Sequence, residues 1–218
     1  FRLAKGHVAS LSGDYDRALG AYEESLAYAS TDSLRSVVWG MIGDTWHLKA
    51  TEGVTDWDER MDLGTVKPTA AFRKGMKRCY SAYERSLRYD PDNTMVLNNY
   101  AYFLSVEGRD LERALAMASR VVALEDDNPT YLDTHAWVLH KLGRTDEAKK
   151  IQQRAVVLDG QKSPSLLAHY GDMLHALGEQ FMAEIYWRQA LEKGYDPALI
   201  EPRLKQPAAD RNSEKTSR

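Results

Sequence analysis

Asp133-Thr134-His135-Ala136-Trp137-Val138-Leu139-His140-Lys141-Leu142-Gly143-Arg144, followed closely by Asp146-Glu147-Ala148, is the stretch whose reading decides the fold. Leu132, His135, Ala136 and Leu139 recur at steps of three and four, so they fall on one stripe of a helix. Asn128-Pro129 starts that helix, with a capping side chain ahead of a proline at the first helical position. Gly143 ends it with a residue that tolerates left-handed backbone, and a second helical pattern opens at once through Ala148. The stretch therefore reads as two helices joined by a tight turn.

Working outward, the same hairpin recurs. Gly108, Gly143 and Gly178 lie 35 residues apart. The apolar pairs Val121-Val122, Ala155-Val156 and Ala190-Leu191 repeat the step at 34 and 35. First helices carry Trp39/Ile42/Gly43, Leu97/Tyr100/Ala101, Leu132/His135/Ala136 and Leu167/Tyr170/Gly171, each followed by Trp46, Leu104, Leu139 or Leu174. Second helices carry a small residue, Ala18, Ala114, Ala148 and Ala183, where paired helices meet. Ser163-Pro164 and Asp196-Pro197 repeat the starting signal. A period near 34 with two helices per unit marks a stacked array, in which no hairpin can bury its apolar stripe alone.

These residues resemble the tetratricopeptide repeat family, and its bacterial members in particular. The match is carried by 133–148, by His169-Tyr170-Gly171-Asp172 with Leu177-Gly178, and by Tyr186-Trp187 through Ala190-Leu191. The expected fold is all-α, a right-handed α-solenoid of tandem helical hairpins. The hairpins are expected at 1–30, 34–91, 93–126, 129–160 and 163–194. The second is longer than the others by about 27 residues against a 34-residue repeat, which places an insertion near 50–70. A polar-faced capping helix is expected at 197–205 and a disordered tail at 206–218. Bacterial relatives often work at the cell envelope, so the resemblance leaves periplasm, envelope and cytoplasm open.

Composition narrows the function. The chain has 218 residues, 43% hydrophobic and 28% charged, with a net charge of −3, as expected of a folded chain without global attraction to nucleic acid or anionic lipid. The one cysteine, Cys79, supports neither a disulfide framework nor a cysteine zinc site. No run of about 18 apolar residues is present to span a bilayer. Phe1 to Gly6 reads as helix and not as a signal peptide, so the chain is expected to be part of something longer. No phosphate loop, nucleophile elbow or metalloprotease helix occurs. The reading is a non-catalytic chain with no cofactor.

The helix phase assigns an inner, first-helix face. On it fall Asp44 and His47, then Asn98, Asn99 and Tyr102, then Asp133, Trp137 and His140, and finally His169, Asp172 and His175. These are the candidate ligand-groove residues, with Trp137 and Tyr102 as aromatic anchors. The Asp/His spacing of three could also present metal ligands, but no cysteine or third ligand accompanies it and no metal site is expected. The resemblance also suggests a clamp for a partner's C-terminal carboxylate. The matching positions hold Leu3, Gly40, Asn98, Asn99, Thr130 and Thr134, too few cations for one. Trp57, among the acids of the insertion, is a further contact candidate. Arg73, Lys74, Lys77, Arg78, Arg85 and Arg88 against the single Glu84 form a basic helix, which without interleaved aromatics reads as a solvated face. The expected partner is a protein or peptide, with no nucleic acid. The alternative is a structural module that oligomerises or spaces a larger assembly.

Overall fold

A computed structural model describes residues 2–205 and 207; the segment expected as a disordered tail lies outside the described residues, apart from Pro207. Among the described residues there are twelve helices and no strand. They are α1 Arg2–Leu11, α2 Tyr15–Leu26, α3 Asp32–Ala50, α4 Trp57–Asp62, α5 Ala70–Tyr89 and α6 Thr94–Val106. There follow α7 Leu111–Leu124, α8 Pro129–Lys141, α9 Thr145–Asp159, α10 Pro164–Ala176, α11 Gln180–Glu192 and α12 Pro197–Leu204. The all-α fold of tandem hairpins expected from the sequence is what the chain adopts. It divides into two compact units, Phe1–Tyr100 and Ala101–Arg218, with the division falling inside α6.

The helix ends follow from the capping side chains. Asn128 accepts from the backbone N–H groups of Thr130 and Tyr131, Ser163 from Leu166, and Asp196 from Ala198, each ahead of a proline. Thr31 and Thr69 do the same for α3 and α5. Each such cap satisfies donors that the first helical turn leaves unpaired. The turn between α8 and α9 closes at Gly143 with φ of 78°. Its N–H donates to His140 O at 2.9 Å, and Arg144 N to Leu139 O at 2.9 Å. Asp110, at φ 46°, is the extra residue in the turn before α7.

In the first unit α1 pairs with α2 and α3 with α5. The core joins Ala9, Ala18, Leu19, Tyr22, Val38, Ile42 and Ala82. The stretch 50–70 between α3 and α5 contains the short helix α4, entered through Asp56 in left-handed backbone. In the second unit α8 pairs with α9 and α10 with α11, while α9 packs on α10 and α12 on α11. Its core gathers Ala136, Trp137, Leu139, Ala148 and Met173.

A glycine under an aromatic ring sets the closeness of two of these pairs. A Cβ at Gly43 would run into the Tyr83 ring, and one at Gly171 would stand 2.5 Å from the Trp187 indole. Both rings are fully buried. The small residue read from the sequence in the first helix is thus the floor on which the second-helix aromatic lies.

Candidate functional site

The first-helix residues of each unit are held by buried carboxylates. In the first unit Asp44 of α3 accepts from Tyr83 Oη at 2.5 Å and from Asn99 Nδ2 at 3.1 Å. Burial pushes the Asp44 carboxyl above the ordinary carboxylate range, while these two donors and the nearby His47 oppose the shift. The Tyr83 phenol is pushed well up, first by its own burial and then by the Asp44 charge. His47 Nε2 meets Asp58 Oδ1 at 3.2 Å and so ties α3 to α4. Trp57 is 9% exposed and stacks on Phe72, with ring centroids 5.0 Å apart. The insertion's Trp is therefore folded onto its own scaffold. Asn98 is buried, its amide 3.4 Å from Asn99 Oδ1.

In the second unit Asp133 of α8 is the hub between adjacent hairpins. Its Oδ1 accepts from Gln152 Nε2 of α9 at 2.5 Å and lies 2.9 Å from His169 Nδ1 of α10. Gln152 Nε2 also donates to Leu166 O at 3.0 Å. Trp137 stacks on His169 with ring centroids 4.2 Å apart and 22° between planes. Lys141 Nζ stands 5.3 Å from the Trp137 ring centroid, and the His140 ring lies at 5.3 Å. Trp137 is only 2% exposed, and its buried indole N–H has no hydrogen-bond acceptor among the described residues.

His140, half-buried beside this ring, hydrogen-bonds Thr145 Oγ1 at 3.1 Å through Nδ1. Burial lowers its pKa to about 4, and the Lys141 and His169 charges add to that effect against Asp172. The imidazole is neutral at neutral pH. Asp172 accepts from Trp187 Nε1 at 2.9 Å and takes a two-pronged contact from Arg203, Nε to Oδ1 at 2.8 Å and a terminal nitrogen to Oδ2 at 2.9 Å. His175 is half-exposed and reaches Pro207 O at 2.9 Å. Tyr102 is half-exposed.

The structure thus brings Asp133, Trp137, His140 and His169 into one cluster, and Asp172 and His175 into another around Trp187. Asp44, His47 and Asn99 gather in the first unit. Asp133, Trp137, His169 and Asn98 are each under a tenth exposed, and Asp172 is taken up by Trp187 and Arg203, so the surface these helices present is drawn from Tyr102, His140, Lys141 and His175, and from Asn99 in the first unit. Among the described residues no three His, Cys, Asp or Glu side chains are placed to hold a metal ion. No helix there is long and apolar enough to cross a membrane. Reading the sequence missed Gln152 and Arg203. Arg203 lies on the buried face of α12 with Leu199 and Ile200, and no local pattern in the sequence marks it.

Residues 130–162, which hold α8, its turn and α9, match the family model described as tetratricopeptide repeat. One tetratricopeptide repeat is thus matched, over that stretch of the chain. No curated protein matches it in sequence. Among solved structures, pilF of Pseudomonas aeruginosa is similar with a TM-score of 0.68 at 17% identity, over 93% of this chain and 81% of that one. TTC0263, a thermophilic tetratricopeptide repeat protein of Thermus thermophilus, gives 0.61 at 16%, over 93% and 95%. YrrB, a repeat protein with an unusual peptide-binding site, gives 0.60 at 16%, over 94% and 91%. At these identities the likeness is one of tetratricopeptide fold.

Proposed function

We propose that this chain is a non-catalytic protein-interaction scaffold that docks a peptide or a partner segment on its first-helix face. In the second unit that face is formed by α8 and α10. The observation that carries the reading is a row of half-exposed polar side chains on these two helices, His140 and Lys141 beside the buried Trp137 ring and His175 beside Trp187. Such a row supplies the polar rim that peptide contacts use. The peptide-binding site of YrrB, a protein of the same fold, is consistent with this use.

The test is a display selection of random dodecapeptides on the wild-type chain, followed by affinity measurement on Lys141→Glu with His175→Glu. Both side chains are half-exposed, so the fold tolerates the change. Trp137→Ala would not serve, because opening a cavity at a ring this buried costs about 3–5 kcal/mol of stability. Peptides that bind the wild type should lose at least about tenfold in affinity, or about 1.4 kcal/mol, on the variant. Binding indifferent to both substitutions would place the site elsewhere.

A further inference from the structure

We propose that the exposed side of the α3–α5 pair is a second docking face, built for an acidic helical segment of a partner protein. The two helices run antiparallel, and their side chains meet in rungs along that side. Arg35 lies over the Tyr89 ring at 5.8 Å, Arg85 over Trp39 at 4.6 Å, and Arg78 over Trp46 at 4.5 Å. At the far end Trp46, Lys49, Ala50, Ala71, Lys74 and Arg78 border an open hollow of about 310 Å³. A second hollow, of about 480 Å³, is bordered by Trp39, Arg85, Arg88 and Tyr89. Trp39 and Trp46 are seven residues apart on α3, as are Arg78 and Arg85 on α5. At 1.5 Å per residue the two Trp–Arg rungs stand about 10 Å apart.

The charge on this side is not neutralised by carboxylates of the described residues. Lys74, Lys77, Arg78, Arg85 and Arg88 are all exposed and share one stripe of α5. None of them has a carboxylate partner among the described residues. The acids in reach are engaged: Glu84 accepts from the Tyr100 hydroxyl at 2.8 Å, Asp32 pairs with Arg35, and Asp16 with Lys49. A net charge of −3 over the whole chain therefore coexists with a local run of five unpaired cations.

An acidic helix fits this array better than other anions do. A guanidinium stacked on an indole keeps its N–H edge free, and that edge takes a carboxylate two-pronged. Stacking also fixes the side chain beforehand, so less freedom is lost on binding. The rung spacing is two helical turns, so carboxylates seven residues apart on a partner helix meet both rungs. Single-stranded nucleic acid needs open aromatic faces on which bases stack, and here a cation covers a face of each indole. On α3 the Trp39–Trp46 stripe lies roughly 150° around the helix from Asp44 at 100° per residue. Within the first unit the face is therefore separate from the first-helix face that Asp44 marks on α3.

The test is fluorescence anisotropy with a labelled 22-residue alanine-based helical peptide carrying Glu at seven-residue intervals, at low salt. A shuffled peptide of the same composition and a 20-nucleotide oligothymidylate are the comparators. The register peptide should bind most tightly. Arg78→Glu with Arg85→Glu should weaken it by at least about tenfold, equivalent to about 1.4 kcal/mol, with the helical circular dichroism retained. If that variant misfolds, Lys74→Glu with Lys77→Glu, which touches no ring, should weaken it by at least about threefold, about 0.7 kcal/mol. Equal binding of the shuffled peptide, affinity unmoved by charge reversal, or tighter binding of the oligonucleotide would each overturn the proposal, the last by reassigning the face to nucleic acid.

Discussion

At the residue scale, single atoms decide how closely helices pair. The Gly171 Cα lies against an indole that is wholly buried and has no space to retreat into. Gly171→Ala should therefore destabilise the second unit by about 1–3 kcal/mol, the range for overpacking a close contact. The gain in helix propensity, about 1 kcal/mol, is too small to reverse this. A lower midpoint in urea unfolding checks it; an unchanged or higher midpoint would contradict the packing described. The His140 imidazole carries a pH dependence whose sign follows from its depressed pKa. Above about pH 6.5 it is neutral both folded and unfolded and contributes no slope. As pH falls from there to about 4, the unfolded chain takes up a proton that the folded one refuses. Stability should drop over that window by up to about 3 kcal/mol. His140→Gln should flatten this part of the profile, measured by denaturant midpoints at successive pH values.

At the element scale, α12 is fastened to α10 by a charge pair with little access to water. Arg203 is 1% exposed and grips Asp172, which also receives the Trp187 N–H. Removing either partner alone leaves a buried charge unpaired, so Arg203→Ala and Asp172→Ala should each cost about 3–5 kcal/mol. The double variant should cost clearly less than the two together, because the contact is shared. Additive losses in the double-mutant cycle would mean that the pair is not coupled. Much at this scale was legible in advance. The 34- to 35-residue steps of Gly108, Gly143 and Gly178, and the Asn-Pro, Ser-Pro and Asp-Pro starts, are local signals that mark helices and turns wherever they occur. Arg203 was not legible, since a charged residue in a short helix reads as surface until a buried carboxylate is known to face it.

Depth was also beyond the sequence. Helix phase tells the direction in which Trp137, Asp133 and His169 leave their helices, and they do share one face. Phase does not tell whether the next hairpin closes over them, and here the His169 ring lies flat on Trp137 at 4.2 Å. The basic helix shows the same limit from the other side. Read along α5 alone, its cations lack aromatic neighbours; Trp39 and Trp46 come from α3, and only the antiparallel pairing puts them in place.

At the scale of the whole molecule, stacked hairpins behave as a sum of neighbour contacts, and a surface made of several first helices can be offered without any one hairpin being exceptional. Two kinds of surface result. One is the first-helix face, polar at the rim and pinned from beneath by Asp133 and Asp172. The other is the cation–aromatic side of α3 and α5. Charge reversal at Arg78 and Arg85 should leave peptide docking on α8 and α10 unchanged within about twofold, since sites that share no residue or partner act independently. A joint loss, seen in the same anisotropy assay, would mean that the two are one surface. The proposal that matters most is that ligands dock on first helices, and hydrogen exchange tests it directly. With a display-selected peptide bound at saturation, amide protection should rise in residues 129–142 and 164–176 and stay unchanged in 145–159 and 180–192. Protection gained only in those second helices, or nowhere in the second unit, would contradict it.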